Sequence, residues 1–314
     1  MAYRLKIDET IAVGVRRILC EQVDRAAQHV TASVVDSGLA VHETRKVLKR
    51  MRALLRLVRH GFDPDVWRRE TAALRAIGQN LASLRDRDVA RQTIAQLGRE
   101  APRNLKLALG RLSTRLDSTR SQAASPTDAA QRRIFAATCT ELAACRKRLD
   151  GMSWQADSRV ALERGLRDAH RRGRATVEAA RATPTVDALH EARKAVQVHW
   201  RQMTVLSATW PALMEARAQE ARRISAKLGE HHDLALLQAL AEASIGTGFA
   251  ARSADLIAAA CRHGQLAIET DIVPAAERLF VAKPRRFAAE IGTLWQLAEL
   301  RRGERAEAKL ANHP

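Results

Sequence analysis

The chain has 314 residues, enough for one large domain or two of ordinary size. Its 53 Lys and Arg residues outnumber its 35 Asp and Glu residues, and the net charge of +18 indicates an anionic partner such as nucleic acid, an anionic membrane or another polyanion. Aromatic residues make up only 4% of the chain, which argues against binding single-stranded nucleic acid by base stacking.

The sequence predicts helices from end to end. Ala, Leu, Arg, Glu and Gln dominate, and no alternating Val/Ile/Thr pattern bounded by turns is present, so the predicted fold class is all-α. Ten helices are predicted, over residues 9–32, 40–59, 65–99 with a bend near Gly78, 103–116, 128–149, 155–181, 185–208, 211–243, 250–272 and 284–310. Stretches 118–127 and 245–249, rich in small and polar residues, are predicted loops.

An internal repeat divides the chain into two halves. VHETRKVLK at 41–49 matches LHEARKAVQ at 189–197 with an offset of 148, and LASLRDRDV at 81–89 resembles LGEHHDLAL at 228–236 with an offset of 147. Two matched motifs at nearly one offset indicate a duplication. We therefore expect two similar helical bundles, residues 1–150 and 151–314, related by a pseudo-twofold axis.

Helix 40–59 separates apolar from basic side chains on its two faces. On a helical wheel the predicted packing face consists of Val47, Leu48, Met51, Leu54, Leu55 and Val58. The opposite face carries His42, Arg45, Lys49, Arg52, Arg56 and Arg59, flanked by Lys46 and Arg50. Like charges three or four residues apart repel by a few tenths of a kcal/mol per pair, so this face favours a bound anion over simple solvation.

The second repeat keeps part of this basic face. Its first helix carries His190, Arg193, Lys194 and Arg201, whereas Gln197 and Val198 replace the Lys-Arg pair of the first repeat. The following helix adds Arg222, Arg223, Lys227 and His232. The basic residues named in this paragraph and on helix 40–59, apart from Arg59, are the candidates for holding an anion.

The motif His42-x-x-Arg45-Lys46-x-x-Lys49-Arg50-x-Arg52, repeated as His190-x-x-Arg193-Lys194, resembles the CHAD family, the conserved histidine α-helical domain. LGEHHDLA at 228–235 and LRDRDV at 84–89 are similar to a further motif of that family. The resemblance implies two four-helix bundles that together form one domain. It also implies binding of inorganic polyphosphate by basic residues in a groove or pore between the halves, in some members at polyphosphate granules.

Other members of the family are fused to a tunnel-type triphosphatase domain. This sequence lacks an ExExK motif, so we expect a stand-alone module that is not an enzyme and needs no cofactor. Arg and Lys side chains suit inorganic polyphosphate, which has about one negative charge per phosphate unit and no nucleobases.

Three alternatives remain beside polyphosphate binding. Nucleic acid held by its phosphate backbone is the second choice of partner. His231-His232-Asp233 resembles the core of a metal-dependent phosphohydrolase, but that chemistry needs further His and Asp ligands, which a basic region does not supply. Membrane binding is disfavoured because the apolar faces lack Trp and Phe anchors.

Two smaller expectations concern histidines and cysteines. His42 and His190 either donate a hydrogen bond to phosphate or hold a neighbouring helix. Four cysteines, at positions 20, 139, 145 and 261, show no metal-ligand spacing and are expected to be buried thiols in a reducing compartment. Residues 1–13 lack an apolar signal core, so the protein is expected in the cytoplasm.

Overall fold

The structure of the protein, a computed structural model, describes residues 3–32, 37–81, 86–122, 128–246 and 248–311, without the side chains of 86–89, 119–122, 128 and 305–311. These residues form eleven α-helices and no strand, which confirms the all-α fold class. In chain order the helices are α1 (Ile11–Thr31), α2 (Ser37–Leu57), α3 (Pro64–Asn80), α4 (Asp86–Gly98), α5 (Arg103–Gln122), α6 (Asp128–Asp150), α7 (Ser158–Ala182), α8 (Val186–Val205), α9 (Pro211–Ala243), α10 (Ala251–Leu279) and α11 (Pro284–Ala311).

Short polar side chains begin several of these helices. The side chains of Thr10, Asp63, Asp157 and Thr185 each accept a hydrogen bond from a backbone N–H group in the first turn of α1, α3, α7 and α8. Such caps satisfy donors that the helix itself leaves without a partner. They explain why α1 and α7 begin two or three residues later than predicted.

The predicted helix 65–99 is wrong as a single element. α3 ends at Asn80, where the N–H of Leu81 closes the last turn on the carbonyl of Ile77, and α4 begins at Asp86. The prediction placed a bend at Gly78, but Gly78 lies inside α3. Part of the LRDRDV motif, and with it the side chain of Asp86, lies outside the described residues.

Two helices continue well beyond their predicted ends. α10 continues through Pro274 to Leu279, because the apolar stripe of Ile272, Ala275 and Leu279 stays buried beyond the proline. That burial outweighs the cost of about 3 kcal/mol for a proline inside a helix. α5 extends to Gln122 into the predicted loop 118–127, of which residues 123–127 lie outside the described residues.

The helices pack in two sets. α1, α2, α3 and α6 contact one another in a closed circuit, and so do α7, α8, α9 and α10. α11 lies against α7, α4 against α9, and α5 against α10. The largest apolar core draws residues from both sides of residue 150, including Met51, Leu54, Leu166 and Trp295.

α2 also packs against α7 and α8, and a glycine permits the close approach to α7. A Cβ atom at Gly165 would lie 1.7 Å from the carbonyl oxygen of Leu57, so no other residue fits there without moving a helix. All six predicted packing residues of α2 are buried, which confirms the predicted face. The basic face of α2 is thereby turned toward α7 and α8.

The cysteine prediction holds for three of the four positions. Cys20, Cys145 and Cys261 are buried, and all four thiols are free. Cys139 is wrong as a buried residue, because its position on α6 leaves it partly exposed at the edge of the core.

Candidate anion-binding cleft

A concave cleft of about 490 Å³ lies between the facing helices α2 and α8, and we call it the α2–α8 cleft. α3 and α7 contribute one residue each. Its lining consists of Arg45, Lys49, Arg52, Ala53 and Arg56 from α2, Arg75 from α3, Arg172 from α7, and His190, Arg193, Lys194, Gln197, Val198 and Arg201 from α8. Nine of these thirteen residues are Lys or Arg, and none of the described residues that line the cleft is acidic.

The lining cations raise one another's electrostatic energy. Burial lowers the pKa of Arg52, and the charge of Arg75 lowers it further. The pKa of Arg56 is lowered first by burial and then by the positive charges of Arg52 and Arg172. Glu191 offsets part of this field through its ion pairs with Arg172, at 3.2 Å, and with Lys194. The cleft therefore holds positive charge in a partly dehydrated setting, which favours an anion.

The α2 wall of the cleft follows from helical spacing. Arg45, Lys49, Arg52 and Arg56 lie three and four residues apart, so they share one side of the helix. Arg52 also has its Nε atom buried without a hydrogen-bond partner among the described residues. A buried donor of this kind is costly unless an acceptor reaches it, so phosphoryl oxygens are suitable partners.

The α8 wall is shaped by close packing against α9. A Cβ atom at Gly229 would lie 2.8 Å from the Nη2 atom of Arg193, so the glycine leaves room for this guanidinium. Arg201 is almost fully buried, at 7% exposed, and burial lowers its pKa to about 10. Its Nη1 atom donates to the carbonyl of Gln197 at 2.8 Å, and its guanidinium lies 4.8 Å from the ring centroid of Trp200.

Two histidines adjoin at the edge of this wall. The rings of His190 and His232 have centroids 4.6 Å apart, with an angle of 34° between their planes. Burial lowers the pKa of His190, and His232 and Lys194 lower it further. The pKa of His232 is lowered by burial and by the charge of Arg193. In the free protein at neutral pH both imidazoles are therefore held in the neutral form.

Seven of the predicted site residues lie outside the lining. Lys46 forms an ion pair with Glu43 at 2.8 Å, and the Nε2 atom of His42 is 4.0 Å from the same carboxylate. The Tyr3 hydroxyl donates to the carbonyl of Arg50 at 2.7 Å, and the Arg50 guanidinium lies over the Tyr3 ring. These three basic residues of α2 lie outside the lining, in contact with acidic or aromatic groups.

The remaining four lie on α9. Arg223 is paired with Glu220 and Asp271, and Lys227 is paired with Glu230 at 2.8 Å. Arg222 lies over the ring of Trp200, and the ring of His232 lies against that of His190. The pairs with Glu220 and Glu230 lie three residues apart on α9, a spacing that the sequence itself shows. The contacts with Asp271 on α10 and with Trp200 and His190 on α8 depend on helix packing, which sequence spacing does not reveal.

Two cations of the lining were absent from the predicted site, Arg75 and Arg172. Arg75 belongs to a helix that carries charges of both signs, and Arg172 belongs to a basic segment that is equally typical of a solvated surface. The packing of α2 against α3 and α7 brings both to the cleft. No motif in the sequence signals either residue.

The His-Asp doublet is engaged in separate contacts. His231 is 2% exposed, and its Nε2 atom is 2.8 Å from a carboxylate oxygen of Glu269 on α10. His232 faces His190 on α8 instead, and the charge of Asp233 raises the pKa of His232 against the larger lowering effects. The part of the chain that the structure describes contains no group of three His, Cys, Asp or Glu residues arranged for a metal ion.

None of the described helices combines the length and the apolar character needed to cross a lipid bilayer. No curated protein matches the chain at a significant level. The sequence does match the CHAD domain over residues 17–242, a span that contains every residue lining the α2–α8 cleft. With a cleft-bearing all-α fold and a match over most of its length, the chain belongs to the CHAD family.

Proposed function

We propose that the protein binds inorganic polyphosphate in the α2–α8 cleft. The observation that carries this proposal is the convergence of nine Lys and Arg residues on one cavity whose described lining contains no carboxylate. Such a cavity favours a ligand with closely spaced negative charges, and the family resemblance implies polyphosphate as that ligand. Association with polyphosphate granules is part of the same proposal.

The charge arrangement suits a phosphoryl chain in particular. Arg side chains bridge two phosphate oxygens, whereas Lys acts as a mobile point charge. Six arginines, Arg45, Arg52, Arg56, Arg75, Arg172 and Arg193, therefore supply directional contacts along the cleft, and Lys49 and Lys194 adjust to the chain. Burial lowers the pKa of Arg56, neighbouring cations lower it further, and a bound chain relieves the repulsion among those cations.

We also propose that the site is built from two related bundles with a pseudo-twofold axis, residues 1–150 and 151–314. Positions separated by 148 residues line opposite walls of the cleft: Arg45 and Arg193, Lys49 and Gln197, and Ala53 and Arg201. The two closed circuits of helix contacts, α1, α2, α3 and α6 and then α7 to α10, support the same interpretation. Gln197 leaves the second wall with less charge than the first.

Nucleic acid is the second candidate, because its backbone also presents phosphates. Among the described residues of the lining, His190 is the one with an aromatic ring, and the indole of Trp200 lies beneath Arg201. This composition favours a ligand without bases. We propose binding without catalysis, since His231 is held by Glu269 and His232 by His190.

Competition tests the proposal. Long-chain polyphosphate is expected to displace a fluorescently labelled oligonucleotide, DNA or RNA, from the protein at a phosphate concentration at which unlabelled oligonucleotide does not. Direct titration of labelled polyphosphate at two salt concentrations measures the affinity, and the affinity should fall steeply as the salt concentration rises. If polyphosphate fails to displace the oligonucleotide, the ligand of the α2–α8 cleft is nucleic acid and the proposal is wrong.

A further inference from the structure

A second basic cleft lies where α7 meets the start of α11, and we call it the α7–α11 cleft. It has a volume of about 530 Å³ and is lined by Arg167, Arg171, Lys283, Pro284, Arg285 and Arg286. Within the described residues Arg171 alone among these five cations has an ion pair, with Asp168 at 2.9 Å. The Nε atom of Arg167 is buried without a hydrogen-bond partner among those same residues.

The segment that carries three of these cations is fixed in place by α7. The Nη1 atom of Arg174 donates to the carbonyls of Phe280 and Val281 at 3.0 and 2.7 Å. An imidazole nitrogen of His170 lies 2.9 Å from the carbonyl of Ala282. Because burial lowers the pKa of His170 to about 4, this ring is neutral at pH 7 and donates that bond as an N–H. These hydrogen bonds fix residues 280–282, which lead directly into the start of α11.

The start of α11 adds to the positive potential. Arg285 and Arg286 occupy its first turn, which contains no acidic residue, and their backbone N–H groups precede the first bond of the helix, from Phe287 N–H to Lys283 C=O at 3.0 Å. The dipole of a helix makes this end positive, so cations are unfavourable there and anions favourable. A phosphoryl group would satisfy both the side chains and the backbone donors.

α7 connects the two clefts. Arg172 lines the α2–α8 cleft, whereas the adjacent Arg171 and Arg167 line the α7–α11 cleft. Successive side chains point about 100° apart around a helix, so α7 presents cations to both clefts. Asp168 on α7 pairs with both Arg59 and Arg171.

We infer that the α7–α11 cleft is a second contact site for polyphosphate, which a long chain occupies together with the α2–α8 cleft. This inference rests on the proposed function and deepens it, because it makes chain length a determinant of affinity. Long chains that reach both clefts bind bivalently, while tripolyphosphate occupies the more highly charged α2–α8 cleft alone.

The double variant Arg285→Gln, Arg286→Gln tests this inference in the full chain. A matched control, Arg252→Gln with Arg262→Gln, removes the same charge from exposed positions on α10 that line neither cleft. Affinity is measured for labelled long-chain polyphosphate and, separately, for tripolyphosphate at the same ionic strength. Long-chain affinity is expected to fall about tenfold in the double variant. Tripolyphosphate affinity should change by less than about twofold, and the control should change neither by more than that.

The outcomes separate the two proposals. If the double variant binds long-chain polyphosphate as tightly as the parent, the second site is wrong. The same holds if the control loses as much affinity as the double variant. Neither result contradicts binding in the α2–α8 cleft. Loss of tripolyphosphate affinity to the same extent as long-chain affinity also overturns it, since one site would then serve both ligands. If the parent protein binds neither ligand, the proposed function fails and the second site fails with it.

Discussion

His190 and His232 stand ring against ring at the edge of the α2–α8 cleft, with centroids 4.6 Å apart, and burial together with neighbouring cations lowers the pKa of both. A bound polyanion raises those pKa values, because it favours the charged imidazolium. Protons are therefore taken up on binding, and affinity for long-chain polyphosphate should rise as pH falls below neutral.

Calorimetry in two buffers of different ionisation enthalpy measures this proton uptake. The variant His190→Gln, His232→Gln should lose most of the pH dependence, whereas His263→Gln, at an exposed position on α10, should keep it. Binding that takes up no protons in the parent would contradict this role for the two rings.

Arg75 is expected to contribute to the site although no motif contains it. Its charge lowers the pKa of Arg52 across the cleft, so it shares the same field. Arg75→Gln should weaken polyphosphate binding by about 1 kcal/mol, or about fivefold. The comparison is Arg68→Gln on the same helix, where Arg68 pairs with Asp65 and lines neither cleft. If the two variants bind polyphosphate with equal affinity, Arg75 does not contribute to the site.

Gly229 is expected to act as a positioning residue for Arg193. The Cβ atom in Gly229→Ala would meet the guanidinium, which can move because it is the end of a flexible side chain. Affinity for polyphosphate should therefore fall by about 1 kcal/mol while thermal stability changes little, since alanine also favours the helix. A loss of stability without a loss of affinity would mean that Gly229 serves packing alone.

The approach of α7 to α2 predicts a large effect on stability. Gly165→Ala places a methyl group 1.7 Å from the Leu57 carbonyl oxygen, a backbone atom that cannot move aside. The free energy of unfolding should fall by about 3 kcal/mol or more. Gly110→Ala, where nothing lies within 4 Å, should instead be neutral or stabilising by up to about 1 kcal/mol. Similar urea midpoints for the two variants would show that the helices do not touch there.

Periodicity was sufficient to predict the helices and the inner face of α2, because burial of one apolar stripe determines both. It was insufficient at Pro274, since the local penalty of a proline is small beside the burial of Ile272 and Leu279, and that burial depends on neighbouring helices. The end of α3 at Asn80 was also missed, because the sequence around it carries no strong turn signal.

The site was predictable where one helix determines it. Arg45 and Arg56 follow from spacing along α2, whereas Arg172 reaches the cleft only through the packing of α7 on α2. Arg50 and Arg222 were placed in the site by their charge, but the rings of Tyr3 and Trp200 hold them elsewhere. Such stacking partners are distant in sequence, so helical spacing does not reveal them.

The most direct test is the affinity of the triple variant Arg45→Gln, Lys49→Gln, Arg52→Gln for labelled polyphosphate across a range of salt concentrations. Three cations leave the α2 wall without adding any acidic group, so affinity should fall by at least about 100-fold. The slope of log affinity against log salt should become shallower by about 2. A control with Arg132→Gln, Arg252→Gln and Arg262→Gln carries the same net charge and should retain most of the affinity. Parental affinity and an unchanged salt slope in the triple variant, with its helical content intact, would contradict the α2–α8 cleft as the binding site.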